Sequence, residues 1–501
     1  MDAARKLFRA KPTPALKVDG DDVYPLFVLD DTKLYRELML TWTFCFNDVL
    51  DAEKLHSSLS KLLEIGDWRK LGGRVRKNNG KFEIHVPPTF TPQRPAVAFT
   101  HHVLDISIDE HPVAKSIPKA PQQPSLQPGP HVFREFVVSS DTPVTVFDLL
   151  YRDSPQISLR ITSFTDASLV SLVWPHTLMD ALGLQALLEA WSLVLAGRES
   201  EVLAVVGARE DVALMSVGPR RASGKADEAE EDLKIAHKRV QGVWLILFGL
   251  RFLWSLFWDG PCETRSIYLP REAVTRLRGR AVEEAKAVAS SADETPFISD
   301  GDVLTAWFTK LVVSSEPRQR PVTILCAFNL RFWMKSLMQS TGVYLQNLAV
   351  ATFTFLSPVL AEGSLGSIAL TNRQNLLEQT TQPQLRAIMR TVVNESQDGN
   401  PTFLFGQSNM LLVIVTNWEK AKIMTSADFG PAVIRPGETG ATRRNPPGMM
   451  SYFYYFPMKE NMMTKNVMVV SAKDHEGNYW LSGTLLPRAW AKLRLELEAM
   501  L

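Results

Sequence analysis

Val170-Ser171-Leu172-Val173-Trp174-Pro175-His176-Thr177-Leu178-Met179-Asp180-Ala181-Leu182-Gly183 is the stretch around which the chain is organised. The apolar run 169–174 reads as a buried strand, Pro175 ends it, and apolar spacing from 181 to 196 predicts a helix. His176 therefore falls in a strand-to-helix connection. Rigid elements on both sides can aim an imidazole into a cleft with little freedom to move, as a general base requires. Asp180 stands at the N-cap position of the predicted helix and Gly197 at its C-terminal cap. Capping alone accounts for Asp180 as well as a chemical role does.

His-x-x-x-Asp is a weak signal by itself, and with nine histidines in the chain it occurs twice. The second copy, His101-His102-Val103-Leu104-Asp105, lies in a polar, proline-flanked segment with no buried strand before it and no long helix after it. Context, rather than the pattern, selects His176.

At 501 residues the chain is too long for one ordinary core, and two domains are expected. A formal charge of +1 with 22% charged residues gives no general attraction to nucleic acid or to an anionic membrane. Cys45, Cys262 and Cys326 are far apart in apolar surroundings, with neither a metal-ligand spacing nor a disulfide framework, which points to a reducing compartment. The opening Met1-Asp2-Ala3-Ala4-Arg5-Lys6 lacks the apolar core of a signal peptide, so a cytoplasmic protein is expected.

Strands are expected at 23–29 and 38–46, and a helix at 51–63 from the spacing of Leu55, Leu59, Leu62 and Leu63. Asn79-Gly80 reads as a hairpin turn with 81–86 as the return strand. Clustered prolines make 112–130 an extended surface loop. Strands at 132–138, 156–164 and 169–174 complete a strand-rich first lobe, residues 1–204. Residues 205–262 form a polar crossover that contains an apolar segment, 243–258, with Arg251 in its middle. As a helix this segment measures about 24 Å, short of the ~30 Å hydrocarbon core. It is expected to pack on the protein, line a cleft or touch a membrane surface rather than span a bilayer.

The second lobe, residues 263–501, opens with a strand at 264–270 and a charged helix at 271–289. A capped helix starts at Ser299, and a buried strand at 321–328 leads to Asn329-Leu330-Arg331. Another strand, 411–415, ends in Thr416-Asn417-Trp418, and a turn follows at Asp428-Phe429-Gly430. Strands at 449–456 and 467–470 and a helix at 486–500 close the chain. Strands and helices mix in both halves without a short repeat, so the fold class is α/β in two lobes.

Three features together resemble the BAHD family of CoA-dependent acyltransferases, and within it the fungal trichothecene 3-O-acetyltransferase-like branch. They are His176-Thr177-Leu178-Met179-Asp180 in the middle, Asp428-Phe429-Gly430 about 250 residues later, and a length near 500. Family-like pieces lie between them: Asp302-Val303-Leu304-Thr305-Ala306, Asn329-Leu330-Arg331, Tyr344-Leu345-Gln346-Asn347 and Thr416-Asn417-Trp418. Ala181 departs from the family's usual Gly, while Gly183 is kept; Pro431 and Ala432 stand where the second motif usually continues Trp-Gly.

The resemblance implies two chloramphenicol-acetyltransferase-like lobes of mixed sheets and helices with the active-site channel between them. Acyl-CoA, most simply acetyl-CoA, is then a co-substrate, and no bound cofactor or metal is implied. His176 is the implied base that takes the proton of an acceptor hydroxyl or amine as it attacks the thioester. Asp180 is implied to pair with Arg331 from the other lobe, and Thr416 and Trp418 to hydrogen-bond the oxyanion. Asp428, with Phe429 and Gly430, is expected to shape the CoA side of the channel, though family descriptions also place this aspartate with the catalytic residues. Arg443 and Arg444, in a Gly/Pro-rich loop, are candidates for the CoA phosphates. Trp174, Met179, Met449, Met450, Tyr452 and Phe453 suggest an apolar channel and an apolar small-molecule acceptor, a secondary metabolite. A monomer without nucleic-acid partners is expected, with a possible peripheral membrane contact through 243–258. Two other readings stay open: a condensation-type enzyme that uses carrier-protein thioesters, and a catalytically degenerate small-molecule-binding protein of the same fold.

Overall fold

A computed structural model describes residues 14–139, 141–215, 231–288, 296–338, 340–397, 403–437, 443–459 and 464–500. Its two main sheets are made of β1 (Met39–Phe46), β2 (Ala98–Val103), β3 (Ser125–Gln127), β4 (Ser158–Ser163), β5 (Ser168–Pro175), β6 (Glu263–Leu269), β7 (Val322–Asn329), β8 (Ala349–Leu356), β9 (Leu411–Asn417), β10 (Tyr452–Pro457), β11 (Val467–Lys473) and β12 (Tyr479–Leu485). The five-stranded sheet runs β10-β1-β5-β4-β2 and the seven-stranded sheet β8-β7-β9-β11-β12-β6-β3. Against them lie α1 (Ala52–Leu62), α2 (Ala181–Leu195), α3 (Val243–Asp259), α4 (Arg271–Lys286), α5 (Asp300–Ser315), α6 (Leu365–Gln379), α7 (Gln382–Gln397) and α8 (Pro487–Glu498).

β5 is buried at every position, which is why its sequence is a continuous apolar run instead of an alternating one. It lies between β1 and β4, antiparallel to both. Asp180 caps α2 through Leu182 and Gly183, and Gly197, at φ +74°, ends it. There Gly197 N–H bonds Val194 O at 3.0 Å and Arg198 N–H bonds Leu193 O at 2.8 Å, the paired bonds of a Schellman motif. Asn79 and Gly80 both adopt positive φ at the hairpin tip, as a type I′ turn needs.

The lobes are not the contiguous halves 1–204 and 263–501. β10 leaves the second half to pair with β1, and β3 leaves the first half to pair with β6. A short ladder also joins Val433–Pro436 to Asp48–Leu50. The cause is topological: β9 and β11 are parallel neighbours and so require a long crossover. Between them the described residues 418–437 and 443–459 cover the first lobe and carry the Asp428 turn with them.

Other differences have local causes. Residues 130–136 form two 3-10 turns that meet at a kink at Phe133 and are begun by Pro130, not a strand; Pro130, Phe133 and Phe136 are buried at a spacing of three. Within the proline-rich 112–130 segment, Ser125–Gln127 joins a sheet edge. His101 and His102 sit on the exposed edge strand β2, where side chains on both faces reach solvent. β8, α6, α7 and β12 were not expected from the pattern. α3 lies on the surface with no buried residue, so it packs on the protein along one side only. No helix among the described residues is long and apolar enough to cross a membrane.

Phe429 is fully buried; it stacks on Phe46 and packs at a tilt against Trp191, with ring centroids at 5.3 and 4.6 Å. Replacement of Phe429 by Ala should cost about 3–5 kcal/mol in denaturant unfolding, because the cavity opens beneath the crossover. A cost under 1 kcal/mol would show that the crossover does not support the first lobe.

Candidate active site

β5 delivers His176 to the junction of the lobes. Its backbone N–H bonds Leu38 O at 2.8 Å, and the imidazole stacks on the Tyr35 ring with centroids 4.0 Å apart and planes within 7°. The residue is partly exposed, with Nδ1 buried, and it stands four residues before Asp180 without being among the residues that line the neighbouring cavity. Burial lowers the imidazole pKa from its ordinary 6.5, against the opposing influence of its own carbonyl, the Asp180 charge and Asn347. The ring is therefore neutral at neutral pH, the form a base needs.

Asp180 uses both oxygens. Oδ1 accepts from the N–H groups of Leu182 and Gly183 at 3.1 and 3.0 Å. Oδ2 accepts from Arg331 Nη1 at 2.6 Å, Asn329 Nδ2 at 3.0 Å and Leu348 N–H at 3.1 Å, all in the other lobe. Burial would raise this carboxyl, but the Arg331 charge and these hydrogen bonds outweigh it and hold the pKa below the usual range. Arg331 Nη2 meanwhile reaches the carbonyls of Tyr344 and Gln346 at 2.9 and 2.7 Å. Capping and cross-lobe pairing thus coexist in one side chain.

A second strap runs beside the first. Asp30 Oδ1 accepts from Asn347 N–H and Nδ2, each at 2.8 Å, and the same Nδ2 donates to His176 O at 2.9 Å. Burial pushes Asp30 up to about 6, with Lys70 and the Asn347 bonds acting against it. A Cβ on Gly183 would lie 2.6 Å from Leu345 O, so only glycine lets α2 approach this loop. Tyr35 and Asp30 carry no motif. The one sign of them in the sequence is a short polar segment, 30–37, between two strands.

A cavity of about 760 Å³ opens beside the motif. Asp180, Ala181 and Leu182 line it from the first lobe, and Asn329, Thr416 and Trp418 from the second. Neither the Thr416 hydroxyl nor the Trp418 indole N–H has a hydrogen-bond partner among the described residues. The Trp418 ring is braced by Trp42 and Tyr455, at 5.0 and 4.6 Å. Phe328, Phe332 and Trp333 give the cavity an apolar wall. On its charged side Arg278 meets Asp300 at 3.5 Å and Arg373 pairs with Asp302. Lys420 lies 4.4 Å over the Phe332 ring and has no carboxylate partner among the described residues.

Several candidates lie elsewhere. Asp428 is exposed and caps its own turn, accepting from Gly430 N–H at 2.9 Å; it is not among the residues lining the cavity, and Phe429 and Gly430 pack with it against the first lobe. Arg443 grips the fully buried Asp48 with two bonds, at 2.8 and 2.7 Å, and Arg444 meets Glu476 at 3.1 Å. A buried carboxylate in the other half of the chain claims the first of these guanidiniums, and neither arginine lines the cavity. Trp174, Met179, Met450, Tyr452 and Phe453 are core, and Met449 joins them outside the cavity lining.

The arrangement of two lobes around such a cavity is that of CoA-dependent acyltransferases. Over 95% of this chain, the fold matches that of TRI101 from F. sporotrichioides, solved with Coenzyme A and T-2, at a TM-score of 0.65 and 15% identity, covering 97% of that chain. No family model matches the sequence. Curated relatives do: O-acetyltransferase PaAT-2 of Phomopsis amygdali is 38% identical over 96% of this chain and 99% of its own length. Acetyltransferase pyiB of Pyricularia grisea is 35% identical over 97% of this chain and 95% of its own. The chain belongs to the BAHD family of CoA-dependent acyltransferases, among the fungal acetyltransferases. It is an enzyme that takes its acyl group from acyl-CoA.

Asp180→Ala and Arg331→Ala should each destabilise the protein by about 3–5 kcal/mol, since either leaves a buried charge unpaired. The double replacement should cost clearly less than the sum, because the two residues share one interaction. Additive losses in urea unfolding would mean that the pair does not couple the lobes.

Proposed function

We propose that the protein transfers an acetyl group from acetyl-CoA to a hydroxyl or amine of an apolar small molecule, a secondary metabolite, with His176 as the general base. The observation that carries this reading is the partly exposed imidazole at the lobe junction, its pKa lowered by burial and its loop held by Asp180 and Asn347. Nε2 takes the acceptor proton as the acceptor oxygen or nitrogen attacks the thioester carbonyl. The oxyanion that forms accepts hydrogen bonds from Thr416 and Trp418. Collapse of the intermediate breaks the carbon–sulfur bond, and the imidazolium returns its proton to the CoA thiolate.

The apolar wall of Phe328, Phe332 and Trp333 suits an apolar acceptor, and the names of the curated relatives suit acetyl as the group transferred. For the CoA phosphates Lys420 is a better candidate than Arg443 or Arg444, because it lines the cavity with its charge unpaired among the described residues. Asp428 acts by holding its turn and takes no part in the chemistry. The three free, separate cysteines suit a cytoplasmic enzyme. It works as a monomer, touching a membrane surface through 243–258.

His176→Ala should lower kcat by roughly 10²–10⁴ without loss of fold, read as CoA-thiol release with a panel of polycyclic alcohols and amines and acetylated product by mass spectrometry. In the native enzyme kcat/KM should fall along an acid limb whose midpoint lies below the ordinary imidazole value of 6.5, since protonation removes the base and burial delays it. Unchanged turnover in His176→Ala, or a midpoint above 6.5, defeats the mechanism.

Thr416→Val keeps the side-chain shape and deletes the donor. A drop of about 10²-fold in kcat is expected, with KM for acetyl-CoA little altered. An effect confined to KM would assign Thr416 to binding instead. Turnover with an acyl-carrier protein but none with free acetyl-CoA would favour the condensation-type reading.

A further inference from the structure

α3 is apolar on both its inward and its outward face. Leu245, Phe248, Phe252 and Leu256 turn inward and are partly buried. Val243, Ile246, Leu250, Leu253, Trp254 and Phe257 recur at helical spacing on the opposite side and are 53–81% exposed, with Trp244 and Trp258 on its flanks at 60% and 74%. The helix is not fraying off the protein. Arg251 Nη1 bonds Ser408 Oγ at 2.7 Å, while Lys465 and Arg488 hold Asp259 at 2.7 and 2.8 Å. An ordered, seated helix thus presents a continuous apolar stripe to solvent, far beyond the scattered exposed side chains of an ordinary surface.

Beside the first turns of this helix lies a cleft of about 490 Å³ lined by His237, Lys238, Arg239, Trp244, Arg251 and Ser408, and no carboxylate lines it. Arg239 is paired with Glu395. Lys238, 4.5 Å above the Phe355 ring, and Arg251, on Ser408, have no carboxylate partner among the described residues. The cations stand next to Trp244, at the border of the apolar stripe.

We infer that α3 and this cleft form one docking site for an anionic phospholipid surface, the helix lying in the interface plane and the cleft receiving a headgroup phosphate. The inference rests on the membrane contact proposed above for 243–258 and names its lipid chemistry. Three observations favour lipid over another protein. At 17 residues the helix is about 25 Å long, too short to cross a bilayer and well suited to lie along one. Its stripe carries Trp244, Trp254 and Trp258, the residue type that settles at the boundary between headgroups and acyl chains. The cationic cleft, which no carboxylate lines, has a complement in phosphate. In a two-fold pair the cleft would meet the same surface, and the acid at the far end of the helix, Asp259, is already neutralised by Lys465 and Arg488.

The test is flotation of the full-length protein with vesicles of phosphatidylcholine alone and of phosphatidylcholine containing phosphatidylserine. Native protein should float with both and bind the anionic vesicles at least tenfold more tightly, a preference that fades as salt rises. Trp254→Glu with Phe257→Glu should abolish flotation with either vesicle and leave acetyl transfer in solution unchanged. Lys238→Ala with Arg251→Ala should lower binding to anionic vesicles by about fivefold per charge removed and leave binding to neutral vesicles intact. Equal binding to both vesicles by the native protein overturns the headgroup assignment while the membrane contact itself stands. Absence of flotation with either overturns both, and a native dimer that Trp254→Glu converts to monomer would identify the stripe as a self-association face.

Discussion

Asp180 joins the two lobes through a single carboxylate, and the geometry of the site depends on it. Oδ1 closes the first turn of α2; Oδ2 reaches across to Arg331, Asn329 and the backbone of Leu348. A buried carboxylate survives only when its lone pairs are satisfied, and here both oxygens are. Because the catalytic candidate lies four residues before it, the interaction that locks the lobes also fixes the loop on which His176 stands.

The remaining supports converge on the same place. Asp30 and Asn347 hold the His176 carbonyl, Tyr35 covers the imidazole face, and Gly183 permits the close approach of α2 to the 344–347 loop. The two sheets exchange strands, β10 going one way and β3 the other, so neither lobe is made of contiguous sequence. Such an exchange makes relative motion of the lobes costly, since it would break ladder hydrogen bonds as well as the salt bridge. That rigidity suits the proposed role of His176, whose loop must keep one position relative to the cavity.

Several buried charges in this protein are committed to structure. Arg443 serves Asp48, Arg373 serves Asp302 and Arg331 serves Asp180, each pair joining segments far apart in the chain. Two concave places hold cations with no carboxylate partner among the described residues. Lys420 stands at the cavity, and Lys238 and Arg251 stand beside α3. β9 separates these places: its first residues face the α3 side and its last ones line the cavity, so the two lie at opposite ends of one strand.

The sequence by itself determined the local elements whose signals are local. β5, the Asp180 cap, the α2 run, the Asn79-Gly80 hairpin and the apolar character of 243–258 follow from spacing, capping chemistry and turn preference. Context also separated His176 from His101, because a buried strand before a histidine is visible in the chain and an exposed edge strand is not mistaken for it. What only the tertiary structure decided was every pairing between distant segments. Arg443 looked available until the buried Asp48 claimed it, Trp174 and Phe453 looked like channel lining until they closed into core, and residues 452–457 crossed to the other lobe. Nothing in the local pattern of Tyr35 or Asp30 announces the histidine each supports. Such partners are chosen by burial and hydrogen-bond satisfaction across hundreds of residues, and a linear pattern does not encode that distance.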